Sequence, residues 1–389
     1  MMLNKLTEIV MKKYLFFLVL FLNFVSSYAQ DKDTLKLIFI GDIMQHGPQI
    51  TSAWNGESYD YSDNFQYLLP LFNYADFVIG NLETTFNGPP YTGYPAFSAP
   101  DDFAKALKDA SIDILVTANN HSFDKGVSGV VRTIKVLDSL YINHTGTFKN
   151  YEDFQKNHPL IIQKGSIRLA LLNYTYGTNV GISKSSVLIN IIDTNEIRDD
   201  ILLAKSYNPD GIIIFFHWGE EYHRLPNTSQ IEIANFCIRN GANYLIGSHP
   251  HVIQPMHKNI LDSSNNVESV VYYSLGNFIS NQRGINTDGG AIAYLEFTKN
   301  QNKLHINRAG YLLSWTWKKF VNNKYIYINV PSWEFNKIDS NSADQNAMKT
   351  FLDSSRNLLN KYNVGINEYY FDKNQNKLFP IDTKSYEYK

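Results

Sequence analysis

Cysteine is nearly absent from this sequence, since Cys237 is the single example among 389 residues. One cysteine excludes a disulfide within the chain. Cys237 lies in an apolar stretch of helical appearance, residues 231–238, and we expect it to pack in the core. The hydrophobic content of 44% is ample for such a core, and the length suits one large α/β domain with additions.

The sequence also lacks an excess of charge of either sign, because 35 basic and 37 acidic residues give a formal net charge of −2. A protein that wraps a polyanion needs a basic field, so we expect no nucleic-acid partner. Aromatic residues are abundant instead, with 26 Tyr and 24 Phe. This composition suits an extracytoplasmic protein that handles sugars or peptides.

The N-terminal apolar run, residues 15–25, is too short for a typical membrane span. Lys12 and Lys13 precede it, and a small-x-small site that ends at Ala29 follows it. This pattern predicts a signal peptide over residues 1–29, cleaved after Ala29, and export to the periplasm or cell surface. The alternative is an uncleaved N-terminal anchor. Lipid attachment is excluded because no cysteine lies near the cleavage site.

Apolar strands alternate with amphipathic helices over residues 33–300, which is the pattern of an α/β layered domain. The predicted strands include residues 35–40, 75–79, 112–116, 168–174, 211–216, 244–247 and 270–274. The predicted helices are residues 60–72, 101–110, 127–140, 194–207 and 229–239. Asp101 or Asp102 is the expected cap of the second of these helices.

The pattern changes in the C-terminal part of the chain. Residues 291–297, 304–313 and 325–330 alternate like antiparallel strands, and residues 343–362 have the period of an amphipathic helix. We therefore expect residues 301–389 to form a C-terminal extension that completes or flanks the layered domain.

Metal-capable side chains follow the ends of five predicted strands. Because sites in α/β proteins collect at the carboxyl ends of strands, we expect these side chains to meet. Oxygen and nitrogen ligands without thiolate suit Mn, Fe, Zn or Mg, as one ion or two. Two such ions activate water for attack on phosphorus or a carbonyl. The alternative is a set of polar residues that cap helices and loops. The candidate ligands are Asp42, Glu83, Asn120, His217, His249 and His251.

Six ordered motifs contain these residues. They are Gly41-Asp-Ile-Met44, Gly80-Asn-Leu-Glu83, Asn119-Asn-His-Ser-Phe-Asp-Lys-Gly126, His217-Trp-Gly-Glu-Glu-Tyr222, Gly247-Ser-His-Pro-His-Val-Ile-Gln254 and Tyr273-Ser-Leu-Gly-Asn-Phe278. Together they resemble the signatures of the CapA-type poly-γ-glutamate capsule-synthesis family, a branch of the calcineurin-like metallophosphoesterase superfamily. The resemblance covers residues 35–297.

The resemblance implies a four-layer α/β/β/α sandwich with the metal site at the strand ends. It makes Glu83 the bridging carboxylate, and it pairs Asp42 with His251 in one of two metal sites. The other site would contain Asn120, His217 and His249.

The resemblance also assigns the proton donor. His121 matches the histidine that protonates the leaving oxygen, a role that suits imidazole near neutral pH. Asp124 would either orient His121 or cap the helix that follows.

The motifs depart from the superfamily pattern at three places. Met44 stands where the first motif has a histidine, and His46, two residues further on, is a candidate substitute. The bridging position is glutamate instead of aspartate, and Ser122 ends a motif that usually ends in aspartate. These departures predict a weak or empty Asp42 site.

Candidate substrate-binding residues follow the ligands. Glu220, Tyr222 and Arg224 come just after His217 and would line the mouth of the site. Arg224 and Arg283 would hold a phosphate or the carboxylates of a polymer. Each is otherwise a solvated loop residue. Asn277 belongs to the same set, although we expect it, like Trp218, to build the wall.

The expected function is that of an exported, metal-binding member of the capsule pathway. It would act on an anionic polymer or a phosphorylated envelope substrate, with other capsule-synthesis proteins as partners. A metallophosphoesterase in the strict sense is one alternative. A non-catalytic assembly or binding subunit with a vestigial metal site is the other.

Overall fold

Strands are the most frequent regular element of the described chain. The computed structural model describes residues 33–182, 185–262, 267–300, 303–340 and 342–382. The strands in these ranges are β1 (Asp33–Ile43), β2 (Phe77–Leu82), β3 (Ile114–Val116), β4 (Asn143–Thr145), β5 (Thr147–Phe148), β6 (Leu160–Lys164), β7 (Ile167–Thr175), β8 (Leu188–Ile189), β9 (Gly211–His217), β10 (Tyr244–Ser248), β11 (Met256–Asp262), β12 (Val267–Tyr272), β13 (Asn277–Ile279), β14 (Gly289–Asn300), β15 (Lys303–Val321), β16 (Lys324–Pro331), β17 (Asn367–Asp372) and β18 (Lys377–Pro380).

The helices alternate with the strands in the first two thirds of the chain, and a longer helix follows near the end. They are α1 (Gly47–Ala53), α2 (Leu69–Phe72), α3 (Asp101–Asp109), α4 (Gly126–Ser139), α5 (Tyr151–Asn157), α6 (Thr194–Ser206), α7 (Thr228–Asn240), a 3-10 helix (Ser332–Lys337) and α8 (Ala343–Tyr362).

The strands form two large sheets. The first is 10-stranded, in the order β18-β17-β15-β14-β1-β2-β3-β4, with β13 beside β1 and β16 beside β15. Strands β1 to β4 pair in parallel, whereas β14, β15 and β16 pair antiparallel. The second sheet is 6-stranded, in the order β11-β12-β10-β9-β7-β6, with a parallel centre. The parallel strands of both sheets therefore have a common carboxyl edge at which loops can carry function.

The two sheets face each other across a buried apolar layer. Alternate residues of β1 point to opposite sides, so Phe39 enters the layer between the sheets and Ile40 packs against α3 on the outside. In the same way Phe215 of β9 faces inward, while Ile214 packs outward against α6 and α7. The order helix, sheet, sheet, helix confirms the predicted α/β/β/α sandwich. Cys237 is fully buried in the outer α7 layer, as expected.

The C-terminal part of the chain is built into the same layers. β15 and β16 extend the first sheet, and β17 pairs in parallel with β15. Met348 and Phe351 of α8 belong to the apolar cluster between the sheets. The residues after 300 therefore contribute to the central core.

The helix predicted over residues 60–72 is wrong for most of its length. Residues 61–68 form successive turns, with bonds from Asn64 N–H to Tyr61 O and from Leu68 N–H to Phe65 O, and only Leu69–Phe72 is α-helical. Pro70 lies in the first turn of α2, where its missing N–H has no helical partner to lose. The apolar spacing persists because the turns also bury one side.

The predicted cap of α3 is also wrong. The cap position is Pro100, and no side chain caps this helix. Asp101 instead forms two hydrogen bonds with Arg132 of α4, each of 2.7 Å. A bidentate pair with a guanidinium satisfies both carboxylate oxygens, which removes them from the cap.

The predicted signal sequence, residues 1–29, lies outside the described residues. Within the described ranges, no helix is both long enough and apolar enough to cross a membrane.

Candidate metal centre

Neighbouring strands bring the first two ligands together. Asp42, near the end of β1, is in register with Asn81 of β2 and Asn277 of β13. Glu83 follows β2 directly, and its N–H donates to Ile43 O over 3.0 Å. Asp42 and Glu83 are both fully buried. Two carboxylates thus lie at one edge of the first sheet.

The second sheet supplies the imidazoles. His217 ends β9 and pairs in register with Ser248 at the end of β10, after which the chain continues to His249 and His251. All three histidines are at least 96% buried. The strand-end pattern in the sequence therefore predicted where these residues lie.

Two glycines allow the loops to approach. A Cβ on Gly41 would lie 1.9 Å from Gly276 O, and a Cβ on Gly247 would lie 2.0 Å from Tyr273 O. Both distances are far below contact, so only glycine fits at these two positions. These close approaches draw the segments before Asp42 and His249 against the β12–β13 connection.

The centre of the cluster is a buried triad. Ligand atoms of Asp42, Glu83 and His217 all lie within 4.8 Å of one another. Both carboxylate oxygens of Glu83 are buried and accept no hydrogen bond from any described residue. Burial, followed by the charge of Asp42, raises the pKa of Glu83 well above its usual value. A divalent cation between these groups would satisfy the unpaired oxygens, so the residues fit a metal ion.

Glu83 lies between two groups of ligands. Its Oε1 is 3.7 Å from Nε2 of His217 and 3.9 Å from Nε2 of His251. Nε2 of His217 also contacts Oδ1 of Asn120 at 2.9 Å, and Nδ1 of His251 contacts Oδ2 of Asp42 at 3.1 Å. Glu83 therefore lies between the pair His217 and Asn120 and the pair His251 and Asp42, and the division into two metal sites stays a prediction.

The imidazole of His251 is oriented by its neighbours. Its Nδ1 lies 3.1 Å from Asp42 and 3.0 Å from Oδ1 of Asn277, which are both acceptors. Nδ1 must therefore carry the proton, and Nε2 presents its lone pair toward Glu83. This is the arrangement by which a carboxylate fixes the tautomer of a ligating histidine.

His249 is held in an unusual conformation. Its φ is 98° and that of His251 is 58°, in the left-handed region that side chains with a Cβ rarely adopt. The ring of His249 is 4.7 Å from the ring of His217, and burial lowers its pKa to about 4. Its Nδ1 forms no hydrogen bond within the part of the chain that the structure describes. A neutral imidazole with a free nitrogen is available as a ligand.

Asn81 was not among the candidates from the sequence. Its amide nitrogen lies 2.8 Å from Oδ1 of Asp42 and 3.2 Å from Nδ1 of His217, so it links the two sheets. Asn119 in turn donates to Oδ1 of Asn81 over 3.3 Å and to Leu82 O over 2.7 Å. The signal that could have identified Asn81 is its place at a strand end, two residues before Glu83.

The proposed proton donor is firmly positioned. Nδ1 of His121 is 2.7 Å from Oδ2 of Asp124, which also accepts the N–H of Phe97 over 2.8 Å. The ring of Phe97 packs edge-on against His121 at 4.6 Å. The cap of α4 is Lys125, so the alternative role of Asp124 as helix cap is wrong and its carboxylate orients His121.

The departures at the first motif have a visible consequence. Met44 is buried in the core. His46 directs Nδ1 toward Oε1 of Gln49 and the N–H of Asn281, each at 3.3 Å, and burial lowers its pKa to about 4. It is outside the triad of Asp42, Glu83 and His217, so the substitution by His46 stays a hypothesis.

Some of the candidate substrate residues are exposed near the cluster, and the others form hydrogen bonds with the rest of the protein. Tyr222 is 55% exposed and its ring is 6.1 Å from that of His251, and Glu220 is exposed in the same loop. Arg224 donates to Oγ of Ser354 over 2.7 Å.

Arg283 donates to Thr316 O over 2.8 Å, and the residue as a whole is exposed. The amide nitrogen of Asn277 donates to Thr287 O over 2.8 Å, which places Asn277 in the wall. The catalytic and binding roles assigned to all these residues stay predictions.

The fold and the cluster define a class of protein. It is an α/β/β/α sandwich that gathers carboxylate, carboxamide and imidazole side chains at the carboxyl ends of its strands, in a group that could hold a metal ion. Residues 36–282 match the sequence model of the family described as "Bacterial capsule synthesis protein PGA_cap", and the chain belongs to this family.

Two curated proteins are similar over most of the chain. The PGA biosynthesis protein CapA of Bacillus subtilis strain 168 is 28% identical over 289 residues, which cover 71% of this chain and 70% of that protein. The capsule biosynthesis protein CapA of Bacillus anthracis is 27% identical over 288 residues, which cover 70% and 66% of the two chains. A solved structure, the calcineurin-like phosphoesterase YfkN from Bacillus subtilis, aligns with a TM-score of 0.42 at 13% identity, covering 85% of this chain and 99% of that one.

Proposed function

We propose that the protein is a metal-dependent hydrolase of the capsule pathway that cleaves a phosphate ester on an anionic envelope substrate. The observation that carries this proposal is Glu83, a buried carboxylate between two groups of candidate ligands, for which no described residue donates a hydrogen bond to either oxygen. A structural carboxylate would have hydrogen-bond partners, because burial of an unpaired charge is costly. The names of the relatives support the capsule pathway.

Each residue of the site would have a separate role in hydrolysis. When bound, Mn, Fe, Zn or Mg supplies Lewis-acid activation of water and of the phosphoryl oxygens. Asp42, Glu83 and His217 would hold the divalent ion at the strand ends, and Asp42 orients His251. His121 donates a proton to the leaving oxygen.

His121 is suited to that step by its surroundings. Asp124 holds Nδ1, so Nε2 is the ring nitrogen left for a substrate. The amide nitrogen of Asn179 lies 3.4 Å from both ring nitrogens. Water adds to phosphorus, the ester oxygen leaves with the proton from His121, and an alcohol and inorganic phosphate are the products.

The second candidate function is a non-catalytic assembly or binding subunit. Met44 favours it, because a buried thioether stands at the position where the resemblance expects an imidazole beside Asp42. A subunit of this kind would bind the anionic polymer or other capsule-synthesis proteins. Full complementation of a deletion strain by the double variant His249→Ala, His251→Ala would support this function.

We also propose that the chain is exported and cleaved after Ala29. The support is the basic, apolar and small-x-small order of residues 1–29. The mass of the protein recovered from the periplasm or cell surface tests it, since a retained N-terminal segment would indicate an anchor.

The main experiment measures metal content and phosphoester hydrolysis with the full mature chain. We expect one or two divalent ions per chain and Mn²⁺-dependent release of phosphate. His121→Ala should lower kcat about 100-fold or more while the bound metal is retained. The matched control is His305→Ala, because His305 pairs with Thr298 near the amino end of β1, away from the cluster.

Two results would contradict the proposal. A protein that binds no divalent ion lacks the centre altogether. Hydrolysis that His121→Ala leaves unchanged would mean that another group protonates the leaving oxygen.

A further inference from the structure

Three exposed tyrosines surround the entrance to the metal centre. Tyr94, Tyr176 and Tyr222 are 72%, 48% and 55% exposed, although their rings lie against buried imidazoles. Tyrosine of this exposure has much apolar ring surface in contact with water, which is costly when a binding partner does not cover it. The three together are therefore a candidate binding surface.

Each of these tyrosines contacts a different imidazole of the cluster. The ring of Tyr94 is 6.3 Å from that of His121, and the ring of Tyr176 is 4.6 Å from that of His249. Tyr222 is 6.1 Å from His251. The rings thus lie around one opening.

The tyrosines come from three separate loops. Tyr94 is in the loop between β2 and α3, Tyr176 follows β7, and Tyr222 follows β9. The Tyr222 backbone adopts φ of 68° and its N–H donates to Pro250 O over 2.8 Å, which ties this loop to the segment that carries His249 and His251. The tyrosines therefore have positions fixed by the site itself.

The charge at the opening is negative. Glu221 is exposed and directly precedes Tyr222 in the loop after β9. Burial, followed by the charge of Glu221, raises the pKa of Tyr176 and of Tyr222. Glu220, next to it, is also exposed.

The two arginines expected to bind an anionic polymer form hydrogen bonds with other residues of the chain. Arg224 bonds to Oγ and O of Ser354 in α8. Arg283 bonds to Thr316 O and Ser280 O. Guanidinium groups that are paired with protein oxygens in this way have fewer donors left for a second partner. Glu221 in addition repels a chain of carboxylates.

We propose that the part of the substrate attached to the phosphate is an uncharged sugar ring, held by Tyr94, Tyr176 and Tyr222 with Glu221. This inference deepens the proposed function and rests on it for the location of the phosphate. Tyrosine faces pack on the C–H face of a pyranose, and the Glu221 carboxylate accepts hydrogen bonds from its hydroxyl groups. The phosphate reaches the cluster around Glu83, where a divalent ion balances its charge.

The test compares two phosphate esters that differ in the sugar. Glucose 1-phosphate and ethyl phosphate are supplied to the Mn²⁺-loaded full chain, and KM and kcat are measured for both. We expect a lower KM for glucose 1-phosphate. Tyr222→Leu and Tyr94→Leu should each raise that KM about two- to tenfold more than they raise the KM for ethyl phosphate.

Tyr207→Leu is the matched control. Tyr207 is 37% exposed and caps the end of α6 just before β9 begins, at the opposite edge of the sheet from the cluster. This variant should behave as wild type with both esters. Equal KM values for the two esters in wild type, or an equal rise with both esters in the tyrosine variants, would overturn the sugar proposal while hydrolysis itself stands.

A binding measurement separates the two proposals. Ligand-observed NMR with glucose 1-phosphate and ethyl phosphate is carried out on the same Mg²⁺-loaded variants. Preferential binding of glucose 1-phosphate that Tyr222→Leu weakens, without turnover of either ester, would support the sugar site and contradict the hydrolase. Equal binding of the two esters, with no loss of binding in the tyrosine variants, would overturn the sugar site.

Discussion

Glu83 and Glu368 are two buried glutamates with opposite surroundings. Glu83 has no hydrogen-bond partner among the described residues for either oxygen. Glu368 forms a two-pronged pair with Arg356, with bonds of 2.9 and 2.7 Å from Nε and Nη2. Burial alone therefore does not mark a functional carboxylate. The missing partner does, because a fold has no structural reason to bury a charge that nothing balances.

Glu83→Gln should abolish tight metal binding and stabilise the chelated protein. The raised pKa of Glu83 means that the folded state holds this proton more firmly than the unfolded chain. The metal-free wild type therefore loses stability as pH rises from about 4.5, the ordinary pKa, through the raised one. In Glu83→Gln this fall of stability with rising pH should be absent, because glutamine does not titrate. Metal analysis and thermal melts in chelator between pH 5 and 8 measure both effects.

Glu368→Gln is the control for that prediction. It removes the carboxylate that pairs with buried Arg356, so we expect a loss of about 3 kcal/mol in the free energy of unfolding. Its metal content should equal that of wild type. A Glu83→Gln protein that binds metal as wild type does would remove Glu83 from the centre.

At the level of single residues, side chains at strand ends were easier to predict than their partners. Asp42 and His217 were selected because they end apolar strands and carry groups that metals require. Asn81 also lies at a strand end, but its neutral carboxamide was not selected, because such a group is as common in a wall as in a site. Arg224 was assigned to substrate for its charge alone, and the sequence holds no sign of Ser354 beside it.

At the level of elements, strands were easier to predict than short helices. The β9 run is buried along its whole length, and a continuous apolar run predicted that. The helix predicted over residues 60–72 failed because turns and a helix bury apolar residues at similar spacing. Pro70 was the local signal for a late helix start. Short strands such as β5 and β8, of two residues each, have no sequence period to detect.

Gly247→Ala should disrupt the end of β10. Its methyl group would lie 2.0 Å from Tyr273 O and 2.5 Å from Nε1 of Trp218, so the strand must shift. We expect a loss of about 3 kcal/mol, as for severe overpacking, and weaker metal binding because His249 and His251 follow this strand. Denaturant unfolding and metal titration measure the two changes.

Gly47→Ala is the matched substitution for that prediction. A Cβ there meets no atom within 4 Å, and Gly47 is the first residue of α1. It should leave stability within about 0.5 kcal/mol of wild type. Equal behaviour of the two variants would mean that β10 tolerates displacement.

At the level of the whole molecule, the layering could be expected only through the resemblance. Strand and helix periods indicate an α/β protein, but they do not specify that two sheets face each other. That relation depends on contacts such as those of Phe39 in β1 with the apolar side chains of the second sheet, which are remote in sequence. The position of α8 against the core was left open for the same reason.

Phe351→Ala tests whether α8 is part of the fold. Phe351 is buried in the cluster between the sheets, so its removal should cost about 3–5 kcal/mol. Phe320→Ala is the control, because Phe320 is 60% exposed. Urea unfolding compares them. An equally small effect for both would show that the C-terminal helix adds little to the core.

Asp42 and His251 contact each other although 209 positions separate them in the chain. During synthesis, the first strands leave the ribosome long before the imidazole that completes their cluster exists. An ion that needs both side chains as ligands would bind only after the two sheets have met. Its identity would then depend on the ions present in the compartment in which folding ends.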